Sequence, residues 1–228
     1  MPASLPARAA RRLIPLLAVL GAGCAGAARG TPAAPSPATD AADPAARTGA
    51  TAEARPLAGL RGQRVLVLPV QHVSADDSLG LRAGALDAEL AFALGERGLD
   101  ATWAGAATAR RLAAQNPTYA SDPSVLPLSR SRPLRAGDRV EDPLASQLRA
   151  LVALHDGRYV VIPTELRVDA AGGTRRAVLE LALVDARGAE VRWAGATSGV
   201  PLDGTPPAAR AARIAQQFVD LIAAPREP

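Results

Sequence analysis

The sequence predicts an α/β (α+β) protein, a single globular domain on a mixed β-sheet, with a C-terminal antiparallel three-strand meander and helices packed on it. Three observations carry that prediction. The run Arg64 to Val73, RVLVLPVQHV, is β-branched and apolar through Val70, as in a strand covered on both faces. Leu86, Leu90 and Leu94, with Ala93, follow it at helical spacing. Between residues 158 and 199, three strand-like segments are separated by turns at 169–174 and 186–189, with glycines in both.

Each element has its own signal. Pro69 lacks an N–H, so it marks an edge position or a bulge in the first strand. Asp76, Asp77 and Ser78 are N-cap candidates for the first helix, and Gly98 is its stop. Leu99 to Trp103 reads as a short second strand, and Ala106 to Gln115 as a second helix closed by Asn116-Pro117. Residues 118–141 contain Pro123, Pro127 and Pro133 without sustained periodicity and read as a long loop, a class that is often functional or mobile. Asp142-Pro143 caps a third helix with the stripe Leu144, Leu148, Leu151 and Val152. In the last strand, Val191, Trp193 and Gly195 alternate against Glu190, Arg192 and Ala194. Thr205-Pro206 opens a closing helix with Ile214, Phe218, Leu221 and Ile222 on its core face. The first strands are joined by a helix and should lie parallel, whereas the last three are antiparallel.

The amino terminus gives an address. Arg8, Arg11 and Arg12 precede LIPLLAVLGAGC, Leu13 to Cys24, an apolar run of about a dozen residues that ends in small residues. A positive stretch, a short apolar stretch and a small-residue exit make a secretory signal. The run falls short of the roughly 20 apolar residues of a membrane-spanning helix. The Gly-Ala-Gly-Cys ending resembles the lipobox of bacterial lipoproteins, with Gly21 where that family usually has Leu. The resemblance implies cleavage before Cys24, lipidation of Cys24 and anchoring by acyl chains; secretion without lipid is the alternative. Ala25 after the cysteine implies, in that family, the periplasmic face of the outer membrane. Residues 25–58 are Ala, Pro, Thr and Gly with scattered charge and have no large apolar residue before Leu57, the composition of a disordered tether. The expected organisation is therefore a signal peptide at 1–23, a lipidated cysteine and tether at 24–59, and a globular periplasmic domain at 60–228.

Composition excludes several chemistries. Every basic residue is Arg, so there is no P-loop or Schiff-base lysine. Cys24 is the only cysteine, so its lipidation leaves no thiol for a disulfide, a nucleophile or a thiolate metal site. The formal charge of +4 includes the three signal arginines; removing them leaves about +1, which gives no reason to expect nucleic acid as a partner. No cofactor or metal is expected. Two histidines, His72 and His155, cannot make a His-rich metal site. His72 near Asp76 and Asp77 is the one place where a general base or metal could sit, and it supports the alternative of an exported hydrolase or metal-binding protein. A polar loop beside a helix cap explains the same residues. His155 and Asp156 read as a helix end. Gly195-Ala-Thr-Ser-Gly199 superficially matches a nucleophile elbow with Thr197 at its centre, but it ends a strand instead of opening a helix. Trp103 and Trp193 read as packing residues. Arg130, Arg132, Arg135 and Arg139 on the long loop are partner-binding candidates, because guanidinium suits interfaces and carboxylates.

The strand VLVLPV, the Leu-striped helix, the strand RYVVIPTELRV, the hairpin AVLELALVDARGAEVRWAG and the closing amphipathic helix together resemble the periplasmic domain shared by CsgG, LpoB and the TolB amino-terminal domain. The resemblance covers roughly Arg64 to Ala223. It implies a lipid-anchored, non-enzymatic adaptor or accessory subunit for another envelope protein, which LpoB exemplifies by activating a peptidoglycan synthase. A subunit of a secretion complex, as in CsgG, is the further alternative. The partner is not specified, and both monomer and oligomer are compatible with the pattern.

Overall fold

The computed structural model describes residues 60–97, 101–171 and 173–223. Residues 1–59, Gly98, Leu99 and the side chain of Ile222 lie outside the described parts, and with them the signal, Cys24 and the tether. The strands are β1 (Arg64–Val67), β2 (His72–Val73), β3 (Thr102–Ala104), β4 (Tyr159–Ala171), β5 (Thr174–Asp185), β6 (Glu190–Ala196) and β7 (Val200–Pro201). The helices are α1 (Ala83–Glu96), α2 (Ala106–Gln115), α3 (Leu144–His155) and α4 (Pro207–Ala223). They form the predicted mixed sheet, in the order β3-β1-β4-β5-β6, with β2 added on β4 and β7 on β5. β1 is parallel to both β3 and β4, whereas β4, β5 and β6 form the antiparallel meander.

Both faces of the sheet are covered. On one, Leu86, Leu90 and Leu94 of α1 and Ile214, Phe218 and Val219 of α4 pack on Val65, Val67, Leu179 and Leu181. On the other, Leu144, Leu148, Leu151 and Val152 of α3 and Ala109 and Ala113 of α2 pack on Leu66, Val160, Ile162 and Val184. This is why β1 is apolar at consecutive positions: its alternate side chains enter two different cores.

Several local expectations are corrected. The first strand is not continuous. It breaks at Pro69, and the interval from Val67 to His72 is one residue longer than the facing interval from Val161 to Glu165. The break is a bulge in the interior of the sheet. Asp87 of α1, itself buried, accepts the Val70 N–H at 2.9 Å there. Asp76 caps a 3-10 turn, Asp77–Leu79, and not α1, which opens at Arg82 without a side-chain cap. Leu221, expected on the core face of α4, is partly exposed. Val191 and Trp193 do not share a face: a bulge at Arg192 puts Val191 opposite Val184 and Trp193 opposite Leu183. One extra residue turns Trp193 to the α1–α4 side and leaves Val191 in the α2–α3 core.

The meander places its hairpin by charge as well as by pattern. Asp185 ends β5, takes two hydrogen bonds from Arg158 and accepts the Gly188 N–H at 3.1 Å. Burial pushes the Asp185 carboxyl up, but the Arg158 hydrogen bonds, the Gly188 N–H and the guanidinium charge together hold it below the usual carboxylate range.

Candidate functional site: a cleft under the arginine loop

The segment from Asn116 to Pro143 contains no helix or strand, yet it is folded down onto the α2–α3 side of the sheet. Ala120, Pro123, Leu126 and Val140 are buried. Gln71, just after the β1 bulge, is the main clamp. Its amide nitrogen donates to the carbonyls of Pro69 at 2.6 Å and Pro123 at 2.9 Å, and its Oε1 accepts the Leu126 N–H at 2.9 Å. Arg110 of α2 donates from Nε to Ser124 Oγ at 3.1 Å and makes an ion pair with Asp87 at 2.6 Å. At the far end, Gly137 and Val140 donate to the carbonyls of Val191 and Ala189, and Asp138 accepts the Val191 N–H. A short piece of the loop thus pairs with the start of β6. Asp142, one residue before the N-cap Pro143 of α3, accepts the Ser146 N–H at 2.9 Å. The Ser146 hydroxyl and N–H hold the Asp142 carboxyl below its usual range.

Between this loop, the middle of β4 and β5 and the end of β6 lies a cleft of about 720 Å³. Arg130, Arg132, Arg135 and Arg139 all line it, and so does His72. The two rival sequence candidates, the arginines and His72, therefore share one site. The floor is supplied by Thr164, Glu165, Glu180 and the small residues Ala194, Gly195 and Ala196.

Charge bookkeeping shows what the cleft offers. Arg132 lies 3.8 Å from Glu141, Glu180 is held by Arg167 at 2.9 Å, and Asp142 is taken by Ser146 and Arg149. Asp138 accepts the Arg135 N–H. Among the described residues, the guanidiniums of Arg130, Arg135 and Arg139 have no carboxylate partner, and Asp138 and Glu165 are the lining carboxylates without a cationic partner. Three exposed guanidiniums without a carboxylate partner, set against two carboxylates without a cation, leave the rim able to take a further carboxylate.

The remaining candidates fall elsewhere. His72 is half-buried, in register with Glu165, and its Nε2 is buried without a hydrogen-bond partner. Asp76 is spent on Ser78 and Arg175, which hold its carboxyl below the usual range, Ser78 contributing most. Asp76 and Asp77 do not line the cleft, so the His72–Asp pairing expected from sequence does not form there. Among the described residues, no group of three His, Asp or Glu is placed to hold a metal ion. Thr197 is buried, and its hydroxyl accepts the Leu179 N–H at 3.0 Å, a structural use. His155 ends α3, and its imidazole is held below the usual range first by burial and then by Arg64. Trp103 and Trp193 pack against the α1–α4 core. Among the described residues no helix is long and apolar enough to cross a membrane.

Sequence reasoning missed Gln71, Glu165 and the Ala194–Ala196 floor. A signal for the floor was available: Ala-Gly-Ala at the end of an alternating strand leaves a bare surface. A Cβ at Gly195 would lie 2.5 Å from the far edge of the Trp193 ring, which lies across it, so a larger residue there would have to displace the ring.

No family model matches the chain, and no curated protein matches it. Solved structures similar to it include the PelC dodecamer from Paraburkholderia phytofirmans, at 14% identity and a TM-score of 0.40, over 73% of this chain and 91% of that one. The lipoprotein GNA1162 from Neisseria meningitidis is similar at 16% identity and a TM-score of 0.40, over 71% of this chain and 98% of that one. The LpoB C-terminal domain from Escherichia coli is similar at 19% identity and a TM-score of 0.37, over 61% of this chain and 82% of that one.

Proposed function

We propose that this is a lipid-anchored cell-envelope protein that works as a non-enzymatic adaptor or accessory subunit. Cys24 is its point of lipid attachment, residues 24–59 are its tether, and the domain from residue 60 onward reaches an acidic surface on another envelope protein. The single observation that carries the reading is the set of uncommitted guanidiniums, Arg130, Arg135 and Arg139, displayed on a loop that the fold pins in place. A pinned loop loses little entropy on binding, so its charges favour a specific contact over a diffuse one. The commitment of Asp76 and Thr197 to structural bonds supports a non-enzymatic role.

Two variants of the full chain test this. Cys24→Ser should release the protein from the membrane fraction and abolish its lipid mass; membrane retention without lipid would refute the anchor. Combined Arg130, Arg135 and Arg139→Ala should leave stability nearly unchanged, since exposed substitutions usually cost under about 0.5 kcal/mol each. Recovery of the envelope partner after crosslinking should fall, and in the native protein it should weaken with salt. Undiminished recovery by the folded triple variant would refute docking through this cleft.

A further inference from the structure

The cleft opens onto an unfinished sheet edge. β6 is the last strand of the sheet, and the loop segment Gly137–Val140 covers its outer edge only as far as Val191. From Arg192 to Ala196 no described strand pairs with that edge. The phase of the strand follows from its inner bonds. Thr197 donates its N–H to the Leu179 carbonyl, and Gly195 stands in register with Leu181. With a period of two, Gly195 and Thr197 turn their backbone groups toward β5, and Ala194 and Ala196 turn theirs outward. Ala194 and Ala196 also line the cleft.

Exposed edges are normally blunted by lysine, proline, a bulge or a covering segment. Here the covering segment stops at Val191, and the bulge lies at Arg192, whose side chain is tied to Glu190 at 3.1 Å. Beyond it the strand reads Ala-Gly-Ala, with Trp193 folded over Gly195 on the opposite face. The outward amides, the bare small-residue surface and the three uncommitted guanidiniums therefore converge on one place.

We propose that Ala194–Ala196 is a strand-addition site for an extended, acidic segment of a partner protein. This deepens the adaptor reading and rests on it: it assigns the cleft a binding mode and a ligand chemistry. The incoming strand continues the edge that Gly137–Val140 already begins to fill. Its main chain bonds to the outward groups of Ala194 and Ala196, and its alternate side chains point along the cleft toward Arg130, Arg135 and Arg139. Carboxylates at those alternate positions match the uncommitted charge. A second copy of this chain offering its other edge, β3, fits less well, because Thr102–Ala104 carries no carboxylate.

The test uses the full chain and an end-capped eight-residue peptide alternating Glu and Thr. Binding should weaken at least tenfold between about 50 and 500 mM salt. Hydrogen exchange at the Ala194 and Ala196 amides should slow at least tenfold when the peptide is bound. The same peptide N-methylated at alternate residues, which cannot donate to the edge, should bind at least tenfold more weakly. Ala196→Pro, which removes an outward N–H at a position where an edge strand tolerates proline, should weaken the unmethylated peptide to a similar extent. Equal binding of the methylated and plain peptides, or no binding of either, would overturn strand addition. So would protection of Ala194 and Ala196 that rises with protein concentration alone and extends to Thr102–Ala104, since that would identify a second copy as the occupant. The two readings fail separately. If the triple arginine variant loses its envelope partner while N-methylation changes nothing, the adaptor role stands and strand addition falls. If that variant keeps its partner, docking through this cleft falls.

Discussion

Gln71→Leu should unfasten the arginine loop while leaving the sheet intact. Gln71 spends its whole amide on the loop and the bulge, donating to Pro69 and Pro123 and accepting from Leu126. Leucine has nearly the same bulk and can make none of these bonds. Three hydrogen bonds at about 1 kcal/mol net each give a loss of about 2–3 kcal/mol, toward the lower end if water reaches the half-buried site. For a domain of this size that is a fall of about 5–10 °C in Tm. The local effect should exceed the global one. The Leu126 amide should exchange with solvent far faster, whereas core amides such as those of Val161 and Leu183 should slow or quicken only with the overall stability. Gln71→Glu keeps an acceptor for Leu126 but sets a carboxylate oxygen against the Pro69 and Pro123 carbonyls, so it should cost at least as much as leucine. Denaturant unfolding with residue-resolved hydrogen exchange measures both effects. A loss under about 0.5 kcal/mol with unchanged exchange at Leu126 would refute the clamp.

Arg210 is buried, has no carboxylate partner among the described residues, and donates to four carbonyls, those of Ser78, Leu79, Leu202 and Thr205. Arg210→Met should destabilise by about 3–5 kcal/mol in denaturant unfolding, because each orphaned carbonyl costs about 1 kcal/mol. Arg210→Lys should recover only part of this, since three ammonium protons cannot serve four carbonyls. His155 should give a mild acid sensitivity. Its folded pKa is depressed, so the unfolded chain binds the proton more readily once the pH drops below the unfolded value of about 6.5. Stability should therefore fall as the pH drops from that point to the folded pKa, and His155→Gln should flatten the slope in pH-dependent unfolding.

The regular parts of the fold were legible because their signals are local. α2 runs from Ala106 to Gln115 as its pattern dictates, and Leu86, Leu90, Leu94, Leu144, Leu148, Leu151 and Val152 are all buried. Two of the departures, in the first strand and in the last, share one physical cause, single-residue insertions decided by distant partners. The break after Val67 is held by Asp87 on a different element, and the bulge at Arg192 reverses the faces of Val191 and Trp193. Strand alternation cannot reveal either, because the period before and after a bulge looks the same. The cleft was legible only in part. A proline-rich segment bearing arginines can be picked out from composition, as can His72. That they meet over Ala194–Ala196 depends on Gln71 and on pairing between residues 137–140 and 189–191, contacts of long sequence separation. Asp76 shows the converse: four residues from a candidate base, it is taken by Ser78 and Arg175.

The most direct measurement places a photo-crosslinking side chain in intact cells at Ala136, an exposed residue of the cleft rim, or at Phe92, exposed on α1 over the opposite face of the sheet. The prediction is a discrete protein adduct from Ala136, little from Phe92, and loss of the Ala136 adduct when Arg130, Arg135 and Arg139 are replaced together by Ala. A strong adduct from Phe92 with none from Ala136, or an Ala136 adduct that survives the arginine replacements, would contradict docking of a partner at the arginine-lined cleft.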